Sequence, residues 1–258
     1  MRILLLDVET APCKFYIWGL WQEIKSTSLM ISDWHILVWC AKWLDGKQVY
    51  HGAINESKTY KKNPECDKEI MNKLKDLLSE ADVVIAHNAV KFDNKRIKTR
   101  FICNRIDPPP PYKTIDTLKV ARRNFAFLSN RLNDLGQFLG VGKKIATDFN
   151  LWKGCLDGDK DSFKKMVKYC KQDVILLEKV YLKIRPYILN HPNYGVYVAT
   201  ERPLCPSCGS GKIQYRGYAR THTGCYKRFQ CIDCRSWGRE RYNEMSKDKM
   251  KSLTRGVS

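Results

Sequence analysis

Acidic residues are scarce in this chain of 258 residues: 27 Asp and Glu stand against 46 Lys and Arg, giving a formal net charge of +19. Such an imbalance favours a polyanionic partner, either nucleic acid or an anionic membrane surface. Long apolar runs are lacking too. The run at 3–6 stops at Asp7, too short to span a bilayer or to form the core of a secretory signal. The expectation is therefore a cytoplasmic protein (host cytoplasm if the source is viral) that engages no membrane, which leaves nucleic acid as the partner. Internal repeats and long low-complexity tracts are missing, the four prolines at 108–111 being too short a run to count. An even set of cysteines, the mark of a secreted disulfide framework, is also lacking, since there are 11.

The cysteines that are present fall into two groups. Cys13, Cys40, Cys66, Cys103, Cys155 and Cys170 are scattered singly and read as buried or indifferent thiols in a reducing compartment. Cys205, Cys208, Cys225, Cys231 and Cys234 crowd into 30 residues and read as a metal site. A hydrophobic share of 43% with 28% charged residues excludes wholesale disorder, although the mean hydropathy is -0.46.

Apolar patterning predicts an α/β first domain. Residues 2–8 suit a strand buried on both faces, with carboxylates at its C-terminal end. Residues 34–44 and 47–53 flank Asp45-Gly46 and predict a hairpin closed by a two-residue turn. Helical spacing at 66–81 leads into a strand at 83–86, then a helix at 92–104, a proline break and a strand at 112–117. Helices are expected at 129–139 and 162–184, and periodicity fades at 190–202. The expected division is an α/β domain at 1–188, a linker at 189–200, a metal-binding ribbon at 201–242 and a basic tail at 243–258. Residues 201–258 hold 13 Lys and Arg against 5 Asp and Glu, so +8 of the charge lies there and +11 in the rest.

Three pieces carry chemistry. In Leu6-Asp7-Val8-Glu9-Thr10, strand period two puts Asp7 and Glu9 on one face, and carboxylates so close repel unless a cation joins them. Hard cations such as Mg2+ or Mn2+ prefer carboxylate oxygen, and a pair of them suits phosphodiester cleavage. Alone, such a pair is more often a strand running out into solvent. The second piece, 86–93 (AHNAVKFD), adds Asp93 at a strand-to-helix junction. The third, 169–173 (YCKQD), places Tyr169 and Asp173 four residues apart on one helix face, where a phenol and a carboxylate can address the same water. Asp116 is a further acid at an expected strand end, and it matches none of these pieces.

In this order the three pieces resemble the DEDD superfamily of 3′–5′ exonucleases, which has an RNase H-like fold, and specifically its tyrosine-bearing branch. LDVET looks like its first motif, AHNAVKFD its second and YCKQD its third. The resemblance covers about residues 1–188 and extends to stand-alone, phage-type relatives of the family-B DNA polymerase exonuclease domain. It implies that Asp7, Glu9, Asp93 and Asp173 bind two Mg2+ or Mn2+ ions and that Tyr169 orients the attacking water. Asn88 and Phe92 become candidates for contacting the terminal nucleotide, with a strand-end amide and a core aromatic as the plain alternative.

The C-terminal cluster holds two C-x-x-C knuckles, Cys205 with Cys208 and Cys231 with Cys234, separated by 22 residues. Four thiolates suit one tetrahedral, structural Zn2+ in a zinc ribbon. Arg235 stands where the second knuckle usually has Gly, and Cys225 and His222 are competing ligands inside the intervening loop. Around the knuckles Tyr215, Arg216, Tyr218, Arg220, Tyr226, Lys227, Arg228, Phe229, Arg235, Trp237 and Arg239 interleave aromatics with cations. Such a surface pairs phosphates and stacks on single-stranded bases, although a small ribbon spends about half of its aromatics on its own core.

The function expected from the sequence is a metal-dependent 3′–5′ exonuclease acting on DNA that is single-stranded or frayed at its 3′ end. The Arg and Lys residues 216, 220, 227, 228 and 235 are the expected strand contacts in the ribbon. The alternatives are a non-catalytic nucleic-acid-binding protein, and an endonuclease or RNA-directed nuclease on the same fold. No polymerase motif follows the nuclease part, so if the protein proofreads, the DNA polymerase it serves is expected on another chain; a stand-alone role in nucleotide recycling or recombination is the equal alternative.

Overall fold

The apolar run that ends at Asp7 forms the middle of a sheet. In the computed structural model, which describes residues 1–254 except 20, 22, 24 and 25, Ile3, Leu4, Leu5 and Leu6 are at most 3% exposed. The chain divides into two compact units, 2–181 and 182–258. In chain order the first runs β1 (Ile3–Thr10), a short hairpin β2 (Lys14–Phe15) and β3 (Met30–Ser32), β4 (Ile36–Trp43), β5 (Val49–Ala53), α1 (Lys68–Ser79) and β6 (Val83–Ala86). It continues through α2 (Asp93–Cys103), β7 (Lys113–Asp116), α3 (Thr117–Asn124), α4 (Leu132–Phe138), α5 (Phe149–Leu156) and α6 (Lys160–Ile184).

Five strands form one mixed sheet in the order β5-β4-β1-β6-β7. β1 pairs antiparallel with β4 and parallel with β6, and β6 pairs parallel with β7. Parallel strands need a crossover, and α1 and α2 provide packing for it: Ile70, Met71, Leu74 and Leu78 of α1 and Ile97 and Phe101 of α2 are buried. Trp39 of β4 is buried, and its indole nitrogen donates to the Ile70 carbonyl at 2.8 Å. Its cross-strand neighbour has to be Gly52, because a Cβ there would lie 2.5 Å from that nitrogen.

The hairpin of β4 and β5 forms, but the expected two-residue turn is a longer loop. Its last ladder pair is Lys42 with Val49, and of Asp45 and Gly46 it is Asp45 that takes a positive φ, 64°. The Leu44 N–H instead bonds the Ile3 carbonyl at 2.9 Å, so the chain stays on β1 before turning. In the first unit four elements lie beyond the sequence reading, namely strands β2 and β3 of the short hairpin and helices α3 and α5. Both helices carry a recognisable signal, since Asp116 and Asp148 cap them through their carboxylates.

In the second unit, β8 (Ile213–Thr221), β9 (Gly224–Cys231) and β10 (Trp237–Arg239) form an antiparallel sheet in the order β10-β9-β8, followed by α7 (Lys247–Lys251). Its buried cluster is Cys205, Cys231 and Cys234, with Cys208 and Ile213 packed against it. Of the basic tail, 255–258 lie outside the described residues. Among the described residues no helix is long and apolar enough to cross a membrane.

One buried carboxylate ties the first unit together. Asp67 is fully buried, accepts two hydrogen bonds from Arg100 at 2.7 and 2.9 Å, one from Asn104 and one from the Ile36 backbone. It joins the start of α1, the start of β4 and the end of α2. Replacing Asp67 by Ala strands the Arg100 charge and should cost about 3–5 kcal/mol, read as a lower denaturant midpoint at unchanged slope. A midpoint equal to wild type would mean that the pair is dispensable.

Candidate active site and four-cysteine cluster

Two features of β1 build the site. Asp7 and Glu9 share a face by strand alternation, and β6 follows β1 only along Ile3–Leu5, leaving the far end of that edge unpaired by strand. The chain leaves β6, turns through Asn88, which takes a left-handed φ of 74°, and starts α2 at Asp93. The Asp93 carboxylate then accepts the Val8 backbone N–H on the vacated edge of β1. Asp116 holds that turn: its carboxylate accepts from the backbone N–H groups of Asn88, Val90, Leu118 and Lys119 at 3.0–3.3 Å. This acid is thus structural. So is His87, which is neutral because burial lowers its pKa to about 4; its Nε2 donates to the Asn130 carbonyl at 3.0 Å, and its Nδ1 faces the Thr117 hydroxyl at 2.9 Å.

From α6 come Tyr169 and Asp173. Carboxylate oxygens of Asp7, Glu9 and Asp173 lie within 4.8 Å of one another. Asp93, expected with them, is not among the three that converge within that distance; it interacts electrostatically with both Asp7 and Glu9. Burial and mutual repulsion make ionisation difficult. Burial first, then Asp173, raises the Asp7 pKa to about 6, and burial followed by Asp7 holds Glu9 and Asp93 well above the ordinary carboxylate range. Burial also pushes the Tyr169 hydroxyl up to about 12, with Asp173 adding to the effect, so this group stays a protonated phenol near neutral pH. The Cys170 thiol lies 3.6 Å from an Asp7 carboxylate oxygen.

One cation answers this charge, and the sequence carried no signal for it. Lys144, from the loop before α5, places its Nζ 2.5 Å from Asp173 Oδ2 and 3.2 Å from the Tyr169 hydroxyl oxygen. Burial opposes its charge, but Asp173 and Asp7 prevail and raise its pKa. The other Asp173 oxygen, Oδ1, is buried with no hydrogen-bond partner among the described residues. A set of hard oxygen donors, one of them orphaned and the others reluctant to ionise together, fits a divalent cation of the Mg2+ or Mn2+ type.

A model of the RNase H superfamily matches residues 41–185. This chain belongs to the RNase H superfamily. The matched segment contains Asp93, Tyr169, Asp173 and Lys144, while Asp7 and Glu9 precede it. Among solved structures, the family-B DNA polymerase of the hyperthermophilic archaeon Pyrobaculum calidifontis is similar, with a TM-score of 0.53 and 14% identity. The match covers 72% of this chain and 25% of the polymerase, and at that identity it speaks for the fold. No curated protein matches the sequence.

In the second unit all four knuckle sulfurs lie within 4.8 Å of one another, with Cys205 and Cys234 3.5 Å apart and Cys208 and Cys231 3.6 Å apart. Four converging thiols suit Zn2+ and leave no open position, so the cluster is consistent with a structural zinc site. The knuckles match in backbone: Gly209 and Arg235 each follow a second cysteine with φ of 76° and 64°. Arg235 therefore adopts the glycine-type conformation with a side chain attached, at a cost of about 1–2 kcal/mol. Cys225 pairs with Arg220 six residues up β9 from Cys231, roughly 20 Å along the strand and far from the sulfurs. His222 lies in the turn beyond it.

The basic candidates separate by face. Tyr226, Arg228, Trp237 and Arg239 share one side by register; Arg228 lies 5.0 Å from the Trp237 ring and Arg239 3.8 Å from that of Tyr226. The Arg216 guanidinium donates to Gln214 Oε1, and Gln214 faces Gln230 on that same side. Lys227 and Tyr218 occupy the other face with buried Phe229, while Arg235 sits in its knuckle.

The raised pKa values carry a stability consequence. An acid whose folded pKa exceeds its unfolded value holds its proton more tightly when folded, so the metal-free protein loses stability as pH rises through that window, about 4 to about 6 for Asp7. Asp7→Asn should therefore melt higher than wild type at about pH 7.5 without divalent cations, and Mn2+ should stabilise wild type more than the variant. Thermal denaturation with and without Mn2+ measures both, and a variant melting below wild type in metal-free buffer would contradict the repulsion.

Proposed function

We propose that this protein is a metal-dependent 3′–5′ exonuclease that hydrolyses phosphodiester bonds at DNA 3′ ends. The observation that carries the reading is the convergence of Asp7, Glu9 and Asp173, with Asp93 alongside and Tyr169 one helical turn before Asp173, in a superfamily fold that a family-B polymerase also contains. The motif order resembles the tyrosine-bearing branch of the 3′–5′ exonucleases in all three pieces.

In this reading the carboxylates of Asp7, Glu9, Asp93 and Asp173 hold two Mg2+ or Mn2+ ions, which would supply charge compensation for the phosphate and acidify the attacking water. Tyr169 aims that water. Its hydroxyl oxygen already accepts from Lys144, so the phenolic proton is directed to another acceptor and its lone pairs are partly engaged. Lys144 offsets carboxylate repulsion and adds positive charge where the phosphorane-like transition state gathers negative charge. Asn88, at the left-handed turn before α2, and Phe92, just ahead of Asp93, would contact the terminal nucleotide in this reading. In the second unit Arg228 and Arg239, stacked on Trp237 and Tyr226, offer together with Arg216 a cationic face for a single strand, with Arg220, Lys227 and Arg235 as outlying phosphate contacts.

Asp7→Ala should abolish Mg2+-dependent shortening of a 5′-labelled single strand. Tyr169→Phe should lower kcat on the order of 100-fold with little change in KM, because it removes a hydrogen bond and little volume. Release of mononucleotides from a 3′-labelled strand, with no internal cuts, tests exonuclease against endonuclease action; a fully active Asp7→Ala would refute the assignment, as would internal cutting by wild type. Exchanging Arg228 and Arg239 for Ala should weaken single-strand binding and flatten its salt dependence by about 1–2 in log–log slope. Identical slopes would remove the ribbon from the binding surface.

A further inference from the structure

Beside the carboxylates lies a cleft of about 500 Å³, within the range of small-ligand sites. It begins at Thr10, the residue after Glu9, and its walls include Trp34, Arg96, Phe149 and Trp152. Trp152 also packs edge-on against Tyr169, with ring centroids 6.2 Å apart, so the cleft adjoins the reacting end of the site on two sides. All of these residues belong to the first unit.

Two arginines approach Trp34 from α2, and they differ in one respect. Arg100, 5.7 Å from the ring, is committed to Asp67 through two hydrogen bonds. Arg96 lies 4.1 Å from the Trp34 ring and 5.3 Å from that of Phe92, yet its guanidinium has no carboxylate or hydrogen-bond partner among the described residues. The acid within the cleft, Asp148, is occupied capping α5 through the Asn150 backbone and side-chain nitrogens. A guanidinium covered by aromatic faces keeps its planar fork of donors free at the edge, which suits bidentate pairing with phosphate. Arg96 is also one turn from Asp93 on α2, about 5–6 Å between Cβ atoms.

We infer that this cleft is a nucleotide subsite in which Arg96, held by Trp34 and Phe92, pairs with the phosphodiester next to the scissile one, while Trp34 and Phe149 receive the base. The inference rests on the nuclease reading for its substrate. It accounts for an otherwise unpaired arginine in a neighbourhood that is rich in carboxylates, and it sets the direction in which the strand leaves the acidic site.

The test is equilibrium binding of single-stranded oligodeoxynucleotides to the full-length protein, with Ca2+ in place of Mg2+. Each strand carries one uncharged methylphosphonate linkage at a known position from its 3′ end. Neutralising one linkage close to the 3′ end, other than the terminal one, should weaken wild-type binding about 10-fold. Arg96→Gln should bind the fully charged strand about 10-fold more weakly than wild type and lose nothing further at that linkage. Arg96→Lys, which keeps the charge but not the fork, should recover part of the loss. Equal losses in wild type and Arg96→Gln at every linkage would overturn the subsite, as would a wild type indifferent to all of them, a result that does not depend on the variants folding. Linkage-specific coupling without Mg2+-dependent shortening would leave the subsite standing and remove the exonuclease reading; shortening without coupling would do the reverse.

Discussion

Negative charge is concentrated around the end of β1, and the fold prevents it from dispersing. Asp7 and Glu9 share a face because a strand alternates, and the strand cannot slip by one residue without turning Ile3–Leu6 out of the core. Asp93 is pinned to the same strand through the Val8 N–H, and Asp173 projects from a helix whose inner face is buried beside it. Relief comes only from protonation or a cation. Lys144 supplies one positive charge and leaves an Asp173 oxygen without a partner. Residual repulsion of this kind is what a divalent ion relieves on binding.

Buried and half-buried carboxylates in this molecule fall into two physical kinds. Asp67 is matched by Arg100, Asn104 and a backbone N–H, and Asp116 by four backbone N–H groups. Each is saturated with donors and joins segments that are distant in sequence, which is a structural task. Asp7, Glu9 and Asp173 face one another with too few donors, an arrangement that weakens the metal-free fold and is useful only if something else occupies the gap. The same contrast separates Arg100 from Arg96, two neighbours on one helix that share a tryptophan while only the first has its acid.

The second unit reaches a stable fold by a different route. A three-stranded sheet of this size buries little apolar surface, and its central cluster is thiol rather than aliphatic. Metal coordination can replace a core there, which leaves Tyr215, Tyr218 and Trp237 about half exposed and open to other tasks. Arg235 accepts a strained backbone in the second knuckle where Gly209 serves the first without strain.

Sequence alone determined what depends on short-range geometry. Strand period two placed Asp7 beside Glu9, helix period 3.6 placed Tyr169 beside Asp173, and the C-x-x-C spacing marked four thiols, because each relation is fixed within a few residues by backbone geometry. It also marked β1 as the buried centre, since a strand covered on both faces needs an uninterrupted apolar run. Tertiary structure decided everything that required distant segments to meet. Lys144 is one lysine among many until a loop of the 140s is folded against α6, and Arg96 is an ordinary helix arginine until Trp34 arrives from before β4. Asp116, set aside as an acid without a motif, becomes the anchor of the Asn88 turn only when β7 lies beside β6. The loop joining β4 to β5 likewise follows a hydrogen bond to Ile3, about forty residues away, which outweighs the local preference of Asp45-Gly46 for a tight turn. Charge pairing and hydrogen bonding act through space, and sequence periodicity reports only what lies along the chain.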